Sequence, residues 1–120
     1  MEIKTSDADG VTIAEIISDK VVFGTTQDAL NIMANCSYQG ADSIIIQENN
    51  LSPDFFDLKT RIAGDILQKF STYNCRLAIV GNFSKYESKA LRDFIYESNK
   101  IGRINFVSSD EEAKAVLKKK

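Results

Sequence analysis

The sequence predicts a single α/β domain: a mixed sheet with parallel central strands and an antiparallel hairpin at its N-terminal edge. Three observations predict it. Two continuous apolar runs, Ile44-Ile45-Ile46 and Leu77-Ala78-Ile79-Val80, suit strands covered on both faces, as parallel strands between helices are. Around them, apolar residues recur at helical spacing: Ile62, Ala63, Ile66, Leu67, Phe70 and Tyr73 in one stretch, Ala90, Leu91, Phe94 and Ile95 in another. At the start, two strand-like segments flank a turn cluster. A chain of 120 residues is large enough for one real core, and residues 1–120 read as one domain without linker, repeat or low-complexity segment.

Residues 1–5 alternate as a strand does, and Ser6, Asp7, Ala8, Asp9 and Gly10 make the turn. Asp7 and Asp9 lack the further ligand positions of a calcium loop, so turn chemistry accounts for them. Residues 11–17 form the second strand. After a turn at Ser18-Asp19-Lys20 comes a short apolar piece, Val21-Val22-Phe23. Thr25 or Thr26 caps a helix through about residue 37, with Ala29, Leu30, Met33 and Cys36 inward and Gly40 as its stop. Residues 43–47 carry the isoleucine run. The connection 48–57 is the longest irregular one. Ser52-Pro53 suits a short helical turn, and of the adjacent Phe55 and Phe56 at least one anchors in the core.

Asp57 is the expected N-cap of the next helix, whose Arg61, Asp65 and Lys69 alternate in sign at i,i+4 steps on another face. The turn near Asn74 ends it. Past the strand 77–80, Gly81-Asn82-Phe83 leads to an S-x-x-E capping box, Ser84 and Glu87, which starts a helix to about residue 99, broken by Gly102. Residues 103–107 are the last strand. Ser109 and Glu112 make a second box, Ala113, Val116 and Leu117 face inward, and Lys118-Lys119-Lys120 complements the final helix dipole. The order is β-β-α-β-α-β-α-β-α. Ile45, Ile66, Leu67, Ile79 and Phe94 are expected to share one core between sheet and helices.

Several functions are disfavoured. A net charge of −2 exerts no general pull toward nucleic acid or an anionic membrane, and the basic Lys85, Lys89, Arg92, Lys100 and Arg103 are interrupted by Glu87, Asp93 and Glu97. No run approaches the roughly 18 apolar residues of a spanning helix. The opening MEIKTSDADG is polar and acidic, unlike a secretory signal, so a cytoplasmic location is expected. With no histidine, His bases, His triads and His ligands are excluded. Cys36 and Cys75 form no CxxC and are expected as buried free thiols. Gly24 and Gly81 begin no GxGxxG, and GxxxxGK[ST] does not occur. Neither a cofactor nor a metal is expected.

The segments FFDLKTRIAGDILQKF, RLAIVGNFSKY and SKALRDFIYESN together resemble the bacterial family called domain of unknown function 4180. The likeness covers most of the chain and implies no activity. The element order is also similar to that of the STAS domain, the fold of bacterial anti-sigma-factor antagonists. In those proteins a Ser or Thr at the start of the helix after a central strand is phosphorylated by a partner kinase, which switches binding. That resemblance implies Thr60, within Asp57-Leu58-Lys59-Thr60-Arg61, as the counterpart, where a helix N-terminus would tolerate added negative charge. Here Arg61 stands where glycine is usual, and the connection from Gln47 is longer.

The leading expectation is a non-catalytic regulatory or protein-interaction module. Its surface is assigned to Asp54, Phe55, Phe56, Asp57, Lys59, Thr60 and Arg61, with Asn82, Ser84 and Tyr86 from the loop that follows residue 80. The partner is expected to be a protein or a second copy of the chain. The rival is a small-ligand binder or enzyme using Glu48, Asp54 and Asp57 at the carboxyl ends of the strands. A deep pocket holding these carboxylates would favour the rival, and a shallow apolar patch around Phe55 or Phe56 the module.

Overall fold

Asp9 and Gly10 set the first turn. Both have positive φ, 51° and 85°, as the central residues of a two-residue hairpin loop require. With only two residues in the loop, strand β1 (Glu2–Ala8) runs beyond residue 5 and pairs with β2 (Val11–Ile17) from Glu2↔Ile17 to Ala8↔Val11. The computed structural model describes residues 1–118, so the role expected of Lys119 and Lys120 lies outside the described residues. Next come α1 (Thr26–Tyr38), β3 (Ser43–Gln47), α2 (Ile62–Thr72), β4 (Arg76–Val80), α3 (Lys89–Ile101), β5 (Ile104–Val107) and α4 (Asp110–Leu117). The strands lie in the order β1-β2-β3-β4-β5, and every pair after the hairpin is parallel. This is the mixed sheet with parallel central strands that the sequence predicts.

Three successive crossovers between neighbouring parallel strands put α1, α2 and α3 on one face, as crossovers of one hand do. There Ile44, Ile46, Leu77 and Ile79 pack against Ile32, Met33, Ile66 and Phe70. The other face carries Val11, Ile13, Ile45, Ala78, Val80 and Val107, covered by Ala113 and Leu117 of α4. The expected single core is therefore two. Ile45 faces α4 because adjacent strand residues point to opposite faces. Leu67 and Phe94 are only half-buried, at the margins of the three-helix side. Ala90 and Tyr73 are exposed, Ala90 in the first turn of α3 and Tyr73 past the last residue of α2.

Two helices start later than expected. Asp57 caps a 3₁₀ turn, Leu58–Thr60, by accepting from Lys59 N at 3.1 Å, and α2 begins only at Ile62, after Arg61 has reversed the chain at φ 66°. Helix α3 begins at Lys89, capped by Ser88, whose Oγ accepts from Leu91 N at 3.2 Å. The Ser84–Glu87 box does not form. By contrast Thr25 and Asp28 form a full box at α1, each side chain accepting from the other's backbone N–H at 3.1 Å. At α4, Ser109 Oγ accepts from Glu112 N at 3.1 Å, while Glu112 reaches back to Ser108 N at 3.0 Å.

Two polar side chains close the β5 side of the sheet. Arg76 donates to Gly102 O, Leu117 O and Val116 O, each at 3.0 Å, tying the C-terminal ends of α3 and α4 to the start of β4. Asn99 of α3 accepts from Phe106 N at 2.7 Å and donates to Phe106 O at 3.3 Å, taking the place of a neighbouring strand beside β5. Cys36 and Cys75 are buried free thiols, and burial, reinforced by Cys75, pushes Cys36 to about 11. Among the described residues no helix is long and apolar enough to cross a membrane.

Candidate functional site

Strands β3 and β4 end side by side at Gln47↔Val80. On β3 the chain turns into a 3₁₀ turn, Glu48–Asn50. Asn50, buried, fixes this turn: its Oδ1 accepts from Gln47 N at 3.2 Å, and its Nδ2 donates to Ser18 O at 2.9 Å and Lys20 O at 2.8 Å. On β4 the next residue is Gly81. A Cβ on Gly81 would lie 2.5 Å from Glu48 Oε1 and 2.6 Å from Glu48 Cβ. Only glycine therefore leaves Glu48 room to cross the strand end.

The Glu48 carboxylate, 11% exposed, holds the loop 81–88 from beneath. It accepts from Tyr86 OH at 2.5 Å and Asn82 N at 3.3 Å, and pairs with Lys85 Nζ at 2.8 Å. Burial acts to raise its carboxyl pKa, but the bonds from Lys85, Tyr86 and Asn82 outweigh it and hold the group below the usual carboxylate range. Burial, then the Glu48 bond and charge, push the Tyr86 phenol far above its ordinary value.

Aromatic rings connect this loop to the core. The 3₁₀ turn Pro53–Phe56 is capped by Ser52, whose Oγ accepts from Asp54 N at 3.2 Å. Three residues per turn send its adjacent phenylalanines in different directions. Phe55 goes fully inside, 6.4 Å from Phe106 between ring centroids. Phe56 stays half-buried and stacks on Tyr86 at 4.9 Å and 14°. Phe83 meets Phe106 edge-on at 5.2 Å and flanks Phe56 at 6.2 Å.

The structure thus gathers Phe56, Asn82 and Tyr86 around Glu48. Phe55, assigned to the surface, is instead a core anchor, because the turn that exposes its neighbour buries it. Asp54, Asp57, Lys59 and Arg61 are exposed on the two outer 3₁₀ turns. Thr60 closes those turns: its Oγ1 lies 2.7 Å from Asp54 O and 2.8 Å from Asp57 O, and accepts from Ile62 N at 3.3 Å. It precedes α2 and is not in that helix's first turn. Ser84 binds Asn82, with Oγ 2.7 Å and N 3.2 Å from Asn82 Oδ1, and does not cap a helix.

The three carboxylates of the rival reading have separate settings. Glu48 holds the loop, Asp57 caps a turn, and Asp54 lies exposed in the preceding turn. Among the described residues no group of three or more His, Cys, Asp and Glu side chains is placed to hold a metal ion. A cavity of about 550 Å³ lies at the amino-terminal ends of the parallel strands, beside Asp42, Asn74 and Arg76. Another of about 300 Å³ lies beside Met33, Tyr73 and Cys75. Neither touches the 54–61 turns or the 81–88 loop. The anchoring task of Glu48 and the part of Phe83 escaped sequence reasoning. The available signal was the pair Phe83 and Tyr86 directly after Gly81, which fits a packed loop as well as a helix start.

The family described as Domain of unknown function (DUF4180) matches residues 8–117 of the chain. No curated protein and no solved structure matches it.

Proposed function

The chain belongs to the DUF4180 family, and from its geometry we propose a non-catalytic regulatory module that docks a protein partner through the 54–61 turns and the 81–86 loop. The observation that carries this reading is the half-exposed stack of Phe56 on Tyr86, with Phe83 beside it. Charges of both signs sit in the same segments: Asp54, Asp57, Lys59, Arg61 and Lys85. An aromatic centre with a polar rim is the anatomy of a protein-binding patch. The carboxylates support it too, since Glu48 is engaged by the loop and Asp57 by its own turn.

Regulation at Thr60 extends the same reading. A phosphate brings about −1.5 to −2 charges at neutral pH. On Thr60 it would first displace the hydroxyl from Asp54 O and Asp57 O, so modification would remake the turns that present the docking charges.

The test is affinity purification from cells that naturally make the protein. Wild type is compared with Asp54→Lys and Lys59→Glu on the face, and with Tyr38→Ser, which is 94% exposed at the end of α1, as control. The expected result is a partner lost with both face variants and kept with the control. Equal recovery from all four proteins would overturn the reading.

A further inference from the structure

We propose that residues 81–87 form a strap, held closed by the single Glu48 carboxylate, whose release uncovers Phe56 and Phe83. That the uncovered rings serve the docking face rests on the docking reading above; the opening itself does not. Three observations carry the inference.

The strap has few backbone ties. Gly81 N donates to Val107 O at 3.0 Å at its root, and Tyr86 N to Phe83 O at 3.3 Å within it. Helix α3 begins afterwards with its own cap, Ser88, so the strap can lift without unwinding the helix. Second, beyond the Gly81 root its long-range polar ties converge on one group: the Asn82 N–H, the Lys85 ammonium and the Tyr86 hydroxyl all meet Glu48. Glu48 is fixed to the sheet through the Asn50 turn, so the strap is the part that moves. Third, the closed strap covers apolar surface. The Tyr86 ring lies flat on Phe56, and Phe83 shields Phe106. Segments with few backbone hydrogen bonds and side-chain ties to one group open at lower free energy than the sheet.

Limited trypsin digestion of the purified protein tests this, because Lys85 places a cleavage site inside the strap. Glu48→Gln keeps the shape of the side chain but removes its charge, and Tyr86→Phe keeps the stack but removes the hydroxyl. Asp93→Asn, in the exposed Lys89–Asp93 pair, is the control. Cleavage after Lys85 should be about tenfold faster in Glu48→Gln, the scale of one charge-assisted hydrogen bond, and intermediate in Tyr86→Phe. Binding of a hydrophobic dye should rise in parallel, while amide exchange in β3 and β4 stays at its wild-type rate. Should Glu48→Gln fail to fold, Tyr86→Phe carries the test. Wild-type cleavage rates, or cleavage that rises only together with exchange of the whole sheet, would overturn the strap. Faster cleavage with the partner bound by none of the proteins would leave the strap standing and remove the docking reading. Wild-type cleavage with a partner lost in Lys59→Glu would do the reverse.

Discussion

Gly81 and Gly64 are both glycines that an alanine scan would treat alike, and their surroundings set them apart. At Gly81 a methyl group meets Glu48 at 2.5–2.6 Å, including its Cβ, which cannot swing away. Gly81→Ala is expected to destabilise the fold by about 1–3 kcal/mol in urea melts. Gly64 lies exposed within α2, with nothing within 4 Å of its added Cβ. Gly64→Ala is expected to stabilise by about 0.4–1 kcal/mol. Glu48 gives a pH prediction. Its folded pKa lies below the ordinary value, so it contributes stability above the unfolded pKa, and that contribution is lost as pH falls through the folded one. Between pH 7 and the acid range, wild type should lose more stability than Glu48→Gln, in paired thermal melts. The sequence marked Glu48 as a carboxylate but not as an anchor. Its partners lie 34 to 38 residues away, and no local pattern records a contact at that separation.

Capping motifs show where local signals are overridden at the scale of the element. The Thr25–Asp28 box forms in full, with Asp28 also accepting from Gly24 N at 2.9 Å. Ser84 and Glu87 have the right spacing, but Phe83 and Tyr86 beside them gain more by packing on Phe106 and Phe56, and Glu48 binds the same loop. The helix start is displaced to Ser88. Ser88→Ala should therefore cost about 1 kcal/mol, as the loss of an N-cap does. Ser84→Ala should stay within about 0.5 kcal/mol, as exposed substitutions do. Equal costs in denaturant titrations would mean that Ser84 caps α3 after all. The delayed start of α2 has a similar cause. The 3₁₀ turn Leu58–Thr60, stitched to the turn before it by Thr60, takes up residues that the expected Asp57 cap assigned to the helix.

For the whole molecule, the parallel part of the sheet was legible because its strands are short, apolar and separated by helical periods. The division of the core was not, since an isoleucine run names buried positions without naming their face. Leu67 and Ile66 are adjacent in sequence, yet Ile66 is fully buried and Leu67 half-buried. Ile66→Ala should cost about 2–5 kcal/mol. Leu67→Ala should cost well under half as much, measured by equilibrium unfolding. The candidate site was half legible: its exposed charges follow from the sequence, and its aromatic stack depends on residues that only the fold brings together.

The side chain of Asn99 has one more consequence, for how many chains can join. Sheets grow by adding strands at open edges, and unlimited growth needs two open edges on every molecule. At β5, Asn99 already occupies the N–H and C=O of Phe106. The strand β1 at the other end offers the remaining edge, lined with Lys4 and Asp7. Any pairing through β1 would thus stop at two chains. Asn99→Ala reopens the second edge and should allow open-ended polymerisation on warming where the wild type goes no further than two chains. Light scattering would show this as continued growth in the variant against a plateau in the wild type.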